Sequence, residues 1–324
     1  MRRFDDLADA EKNERLLHLA EKALAGYGLT GELKHVATAT HTTFQLRLAG
    51  ASYAVRISPS GYDHALLQRE LVWLTALGRD TDLRVPEPIL TVSGDLFRSV
   101  SMEGVPGTRA CTVRRWIEGE RREAELTGEE AAAIGQFVAS LHRHAEGFHW
   151  PEELASPYVD PADRIVAAAD TLRDALPSPD DRARLCDVAA RIADAAGGVG
   201  EEAASVGVIH GDLRLRKLRH DGAVVGAFGF DSCRPGAYLE DLAVVWNELA
   251  DRESSDPLRV SLFEGYQSIR ALPPAPTATL RGFAQLRALE QAVRACELPR
   301  IGRRVSPSQQ ERASSAVRDL LAST

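Results

Sequence analysis

The texture of the chain shifts from mostly strand-like to mostly helical near residues 115–120, and that shift constrains the fold more than any other feature of the chain. Before it, apolar residues alternate with polar ones. Phe44, Leu46 and Leu48 form one run and Tyr53, Val55 and Ile57 the next, separated by Ala49-Gly50-Ala51. Period two marks half-buried strands, and the short glycine-containing break between the runs makes them an antiparallel hairpin. A helical pattern over 9–27 precedes the hairpin and another over about 64–77 follows it. Beyond Pro86 and Pro88 come short β-type runs at 89–92, 96–102 and 111–117. After Gly119 the period becomes helical: the segment 129–144 puts Ile134, Phe137, Val138 and Leu141 on one face, and 160–195 continues in the same texture. A short apolar strand at 206–209, a hairpin around Asp221-Gly222 and further helices from Leu239 complete the chain. The expectation is an α+β protein with a small β-rich lobe over 1–115, a connection at 116–119 and a large helical lobe over 120–324. A cleft between two such lobes is the default place for a ligand.

Composition narrows the partners. Acidic residues outnumber basic ones by 47 to 39, for a net charge of −8 over 324 residues, so the surface as a whole repels nucleic acid and anionic lipid. Cys111, Cys186, Cys233 and Cys296 stand far apart with no metal-type spacing, which predicts reduced thiols and no structural zinc. No apolar run of about 18 residues occurs and no leader-type segment follows Met1, so the expectation is a cytoplasmic protein with no nucleic-acid or membrane partner.

The sharpest local signal is Val208-Ile209-His210-Gly211-Asp212-Leu213, an apolar strand running into a loop that presents one carboxylate. A hairpin read as Leu218 to Phe230 follows, with Phe228-Gly229-Phe230-Asp231 at its end, then Tyr238-Leu239-Glu240-Asp241-Leu242-Ala243 entering a helix. In order and spacing this resembles the aminoglycoside phosphotransferase, choline kinase and homoserine kinase group, whose fold is that of the protein kinases. The resemblance covers nearly the whole chain. It implies a bilobal protein-kinase-like architecture, an ATP or other nucleotide cofactor, and a small-molecule ligand in the cleft between the lobes. By the same resemblance Asp212 is the catalytic carboxylate and His210 braces its loop. Arg56, in Tyr53-Ala54-Val55-Arg56-Ile57, is the phosphate-binding cation and Glu70 its ion-pair partner. Trp116 and Glu118, in Arg115-Trp116-Ile117-Glu118-Gly119, belong to the hinge that meets adenine, and Leu141-His142 matches a pair on the first large-lobe helix.

Three positions depart from that family's pattern. Its loop reads HGDxxxxN, which puts Lys217 where asparagine belongs, and the aspartate of its IDF-type strand falls on Gly229. A hard divalent cation wants oxygen ligands; an ammonium offers none. Asp231, two residues further on, is the substitute metal ligand if the strand continues that far, because residues two apart on a strand share a face. The turn Ala37-Thr38-Ala39-Thr40-His41-Thr42 lacks the glycines that usually cover phosphates, leaving the hydroxyls of Thr38, Thr40 and Thr42 as donors.

Each of these residues also has a plainer reading. Asp212 caps a loop through local hydrogen bonds, Arg56 and Glu70 form a solvated pair, Trp116 is core, and Lys217 belongs to the basic surface run Arg214, Arg216, Lys217, Arg219. Against that last reading, lysine is scarce in this arginine-rich chain, and at this place it sets a fixed positive charge near the phosphates or near Asp212. Two functions follow. The first is a pseudokinase or weakly active phosphotransferase that binds a nucleotide or small molecule with little use of magnesium, and a protein partner enters if it is a pseudokinase. The second is an active ATP-dependent phosphotransferase of a small-molecule hydroxyl, with Asp212 as base and Asp231 as metal ligand. From Arg270 to the end nine arginines face four acidic residues, which favours a neutral or anionic ligand over an aminoglycoside.

Overall fold

Helix α1 (Asp9–Leu24) turns Leu16, Leu19, Ala20, Ala23 and Leu24 to one side, and that stripe packs on one face of an antiparallel sheet. In this computed structural model, which describes residues 3–122, 125–175, 179–196, 206–250, 255–297 and 321–322, the sheet consists of β1 (Leu33–Thr38), β2 (Thr42–Leu48), β3 (Ala51–Ile57), β4 (Pro88–Ile89), β5 (Arg98–Met102) and β6 (Val105–Arg115). Its order is β1-β2-β3-β6-β4, with β5 paired to β6. The alternation read from sequence is real: Phe44, Leu46, Val55 and Ile57 join Cys111 and Val113 in the core against α1. Strand geometry then sends the intervening residues, Arg56, Thr112 and Arg114, to the other face. There Ala110 packs with Leu67 and Leu71 of α2 (His64–Asp80), a helix capped by the Asp63 carboxylate, which accepts from the Ala65 N–H at 2.8 Å.

The chain divides into two compact units. The first holds Met1–Arg121 together with Trp150–Ala155 and Leu218–Asp231. Two segments of the expected helical lobe therefore fold with the sheet. One brings Trp150, whose indole N–H donates to the Arg69 carbonyl at 3.0 Å. The other is the hairpin β8 (Leu218–Asp221) and β9 (Val224–Ala227), bridged to Arg84 through Gly226 and to Glu120 through His220. The hairpin is shorter than the sequence implies. Its second strand stops at Ala227, and Gly229 takes φ +82°, a left-handed conformation that only glycine adopts readily. Gly229 and Asp231 consequently do not lie on one strand face, which corrects the argument that carried Asp231 toward a metal. Phe230 instead packs edge-on against Trp73 of α2, ring centroids 5.5 Å apart.

The second unit holds Arg122–His149, Ser156–Lys217 and Ser232–Thr324. Its helices are α3 (Gly128–Gly147), α4 (Pro161–Ala175), α5 (Pro179–Ala196), α6 (Tyr238–Glu248), α7 (Ser255–Gln267) and α8 (Thr277–Glu297). A reciprocal cap starts α3: Thr127 Oγ1 accepts from the Glu130 N–H and Glu130 accepts from the Thr127 N–H. Among its described residues one ladder pairs β7 (Val206–Ile209) antiparallel with β10 (Arg234–Ala237), a strand the sequence reading missed because Pro235 and Gly236 hide it. No helix among the described residues is long and apolar enough to cross a membrane.

Helices α3 and α7 touch backbone to backbone at Gly135 and Gly265. A Cβ at Gly135 would strike the Leu262 carbonyl, and one at Gly265 the Ala132 carbonyl. Gly135→Ala and Gly265→Ala should each lower stability by at least about 1–3 kcal/mol. Gly147→Ala, where a Cβ meets open space, should leave it unchanged or raise it. Urea denaturation of the three variants measures both.

Candidate active site

In the second unit everything is built around the end of β7. The chain leaves the strand at His210, and Gly211 takes φ +74° with no room for a Cβ beside the Ser232 carbonyl. One buried carboxylate holds this turn. Asp241, on α6, accepts from the His210 N–H at 2.7 Å through Oδ2 and from the Gly211 N–H at 2.8 Å through Oδ1. His142 of α3 stands behind it, Nε2 3.5 Å from Asp241 Oδ2 and Nδ1 2.9 Å from the Tyr266 hydroxyl, with its ring stacked on Tyr238. Burial by itself would raise the Asp241 pKa; His142 and the His210 N–H outweigh it and hold the carboxyl below its ordinary value. His210 is buried and uses Nδ1 to accept from the Asp212 N–H at 3.2 Å.

Asp212 emerges from that brace into a ring of cations. Lys217 Nζ lies 2.8 Å from Oδ2, Arg214 Nε 2.9 Å from Oδ1, and Arg287 of α8 donates to the same Oδ1 through Nη2. Lys217 is thus no surface residue: its side chain is 12% exposed and neutralises Asp212 directly. Burial would raise the Asp212 pKa, but Lys217 and Arg287 hold it well below the usual carboxylate range. A carboxylate so stabilised is a weak base and a well-oriented hydrogen-bond acceptor.

The first unit carries the other group. Alternation places Arg56 of β3 and Arg114 of β6 on the face toward α2, and Glu70 of that helix meets both. Arg56 Nη1 is 3.0 Å from Glu70 Oε1; Arg114 forms a fork, through Nη1 to Oε1 and through Nη2 to Oε2 at 3.0 Å. Burial opposes ionisation of Glu70, yet Arg114 and Arg56 hold it far below its usual range. The pair is therefore buried rather than solvated, and Arg114 is the partner that sequence reasoning missed. Asp231 lies beside the same cation, 3.9 Å from Arg56 Nη2. His41 is buried against Tyr62, ring centroids 4.7 Å apart, and burial, aided by Arg56, lowers its pKa to about 3, so the ring is neutral. Of the threonines, Thr42 is buried with its hydroxyl 3.4 Å from that of Thr38, and Thr40 is exposed at the turn. Trp116 is half-buried with its N–H on the Ser52 carbonyl at 3.1 Å, and Glu118 is exposed.

A family model described as a phosphotransferase enzyme family matches residues 33–289, which takes in both groups. The chain belongs to this phosphotransferase family. Solved structures agree in fold. A microcompartment-associated aminopropanol kinase superposes with a TM-score of 0.75 at 22% identity, covering 94% of this chain and 95% of that one. An amicoumacin kinase in complex with AMP-PNP and Ca2+ gives 0.77 at 16% identity, covering 98% and 97%, and the GDP complex of an aminoglycoside 2'-phosphotransferase gives 0.68 at 10%, covering 96% and 98%. No curated protein matches the sequence significantly.

The donors around Asp212 do not suit a divalent cation. Lys217 offers no lone pair, and three positive side chains already engage the carboxylate. Among the described residues no three His, Cys, Asp or Glu side chains gather as a metal site.

Asp241→Ala would orphan two buried N–H groups at about 1–3 kcal/mol each, and its loss of stability should show in urea unfolding. The acid limb carries a second expectation. Glu70, Asp212 and Asp241 all have folded pKa values below their unfolded ones, so the unfolded chain binds more protons. Their stabilisation is complete above about pH 5 and drains away as pH falls through about 4 and below. Asp212→Asn should flatten that fall.

Proposed function

We propose that this chain is a nucleotide-dependent phosphotransferase for a small-molecule hydroxyl, with low resting turnover because its catalytic carboxylate is neutralised by its own cations. The observation that carries this reading is the ring of Lys217, Arg214 and Arg287 around an Asp212 whose supporting loop is fully built.

In the reaction the acceptor hydroxyl oxygen attacks the terminal phosphorus of the nucleotide. The bond to the bridging oxygen breaks, nucleoside diphosphate departs, and the hydroxyl proton passes to Asp212. Such transfers have a loose transition state, so orientation of the hydroxyl matters more than base strength. Lys217 and Arg214 supply fixed positive charge next to Asp212, the role a metal ion has elsewhere. On the nucleotide side Arg56, steadied by Glu70 and Arg114, is the phosphate cation, with Trp116 and Glu118 toward the base and Thr40 and Thr42 as hydroxyl donors. The nucleotide complexes of the amicoumacin kinase and the aminoglycoside 2'-phosphotransferase support this reading.

ATP should raise the melting temperature of the full chain to nearly the same extent with and without magnesium, and Arg56→Met should weaken that effect at least tenfold in apparent affinity. Slow ATP hydrolysis should persist in the wild type and vanish in Asp212→Asn, which still binds ATP. Binding without any turnover would convert the assignment to a pseudokinase; a requirement for magnesium would overturn the role given to Lys217.

A further inference from the structure

The cations on Asp212 do not end there. Beside Gly211 lies a cavity of about 10 Å3, room for about one water, walled by Arg287, Arg164, Arg234, Glu240 and Glu290. Two of the arginines are matched to the glutamates. Arg164 takes both Glu240 oxygens, at 3.0 and 2.8 Å, and Glu290 at 2.6 Å; Arg234 reaches Glu240 at 2.6 Å. Arg287 is not matched in this way. Its Nη2 goes to Asp212, its Nη1 stands 4.0 Å from Glu290, and its Nε is buried without a hydrogen-bond partner. Counting Arg214 and Lys217, five cations meet four carboxylates, Asp212, Glu240, Glu290 and the Glu248 that faces Arg214, an excess of one positive charge in a largely buried place. Burial, with Arg294 and Arg214 adding to it against Asp212 and Glu290, holds the Arg287 guanidinium below its ordinary pKa, as expected for a charge short of counter-charge.

We propose that this recess takes the anionic group, carboxylate or phosphate, of a small hydroxylated acceptor, and that Arg287 both recognises the anion and, in turning to it, lets go of Asp212. The inference rests on the phosphotransferase reading and names its substrate class. A guanidinium offers a planar fork that fits either anion, and the orphaned Nε supplies the second arm once Nη2 leaves Asp212. The cavity is too small for an anion as it stands, so admission requires a side chain to move. Arg287 is the one whose movement costs least, because it gives up one bond, to Asp212, and brings its orphaned Nε into use, whereas Arg164 and Arg234 would break their bonds to Glu240 and Glu290. Release removes one of three cations from Asp212 and strengthens it as a proton acceptor when an acceptor molecule is present. A cationic amine, in contrast, meets like charge in a desolvated site.

The test is a thermal-shift and calorimetric titration of the full chain, without nucleotide and at fixed ionic strength, with four probes of similar size. D-Glycerate and glycerol 1-phosphate are the carboxylate and phosphate arms, glycerol the neutral control and 1-amino-2-propanol the cationic one. At least one anion should stabilise the protein saturably, and glycerol and the amine should not. Arg287→Met should weaken the anion at least tenfold, Arg287→Lys should fall between, and Arg281→Met, exposed on the same helix, should match the wild type. Tighter binding of the amine, no binding of either anion, or undiminished binding by Arg287→Met each overturns the proposal. ATP-induced stabilisation is read on the same samples, so loss of the anion site with ATP binding intact tells against this inference alone.

Discussion

The carboxylate of Asp241 is the constraint on which the His210–Asp212 loop depends. Two successive backbone N–H groups at the end of β7 are buried, and no strand continues there to satisfy them. A side chain from a helix some thirty residues later takes both, and its own charge is tolerated only because those donors and His142 face it. Position and protonation are thus set together. The loop cannot shift without exposing an ion to an apolar interior, which gives Asp212 a fixed origin from which its ring of cations is measured.

The first unit solves a related problem by a different route. Glu70 enters the protein interior fully ionised, and the sheet answers with two arginines from adjacent strands on one face. Removing one partner of such a group leaves a charge stranded, so the three residues stand or fall together. Arg114 forks onto Glu70 and also reaches Thr112, so it takes the larger share in neutralising the buried carboxylate, while Arg56 faces both Glu70 and Asp231.

Much of this was legible in the sequence because it rests on periodicity and on short contiguous motifs. The alternation of β2 and β3, the helices α1, α2 and α3, the His210-Gly211-Asp212 turn and the pairing of Arg56 with Glu70 all lie close to where the residues put them. What could not be read depends on contacts between distant segments. Arg287 was one of nine C-terminal arginines treated as a field of charge. In the structure Arg270 turns to Glu146 and Tyr266 instead, Arg281 and Arg294 face solvent, and Arg287 alone of these four reaches Asp212. Arg300, Arg303, Arg304, Arg312 and Arg318 lie outside the described residues. The over-long β9 had a local cause: Phe228, Phe230 and their neighbours look strand-like, and only the left-handed turn at Gly229 shows that the ladder has ended.

Lys217 and Leu218 are consecutive residues that belong to different units. The chain therefore builds its sheet-bearing unit from three separate stretches, and the last of them supplies Phe230, the aromatic partner of Trp73 at the centre of α2. During synthesis that unit must wait, with an incomplete interior, until more than two hundred residues have emerged. The pattern in the sequence invites a single cut near residue 121, but a fragment ending there would lack Phe230, the edge-on neighbour of Trp73.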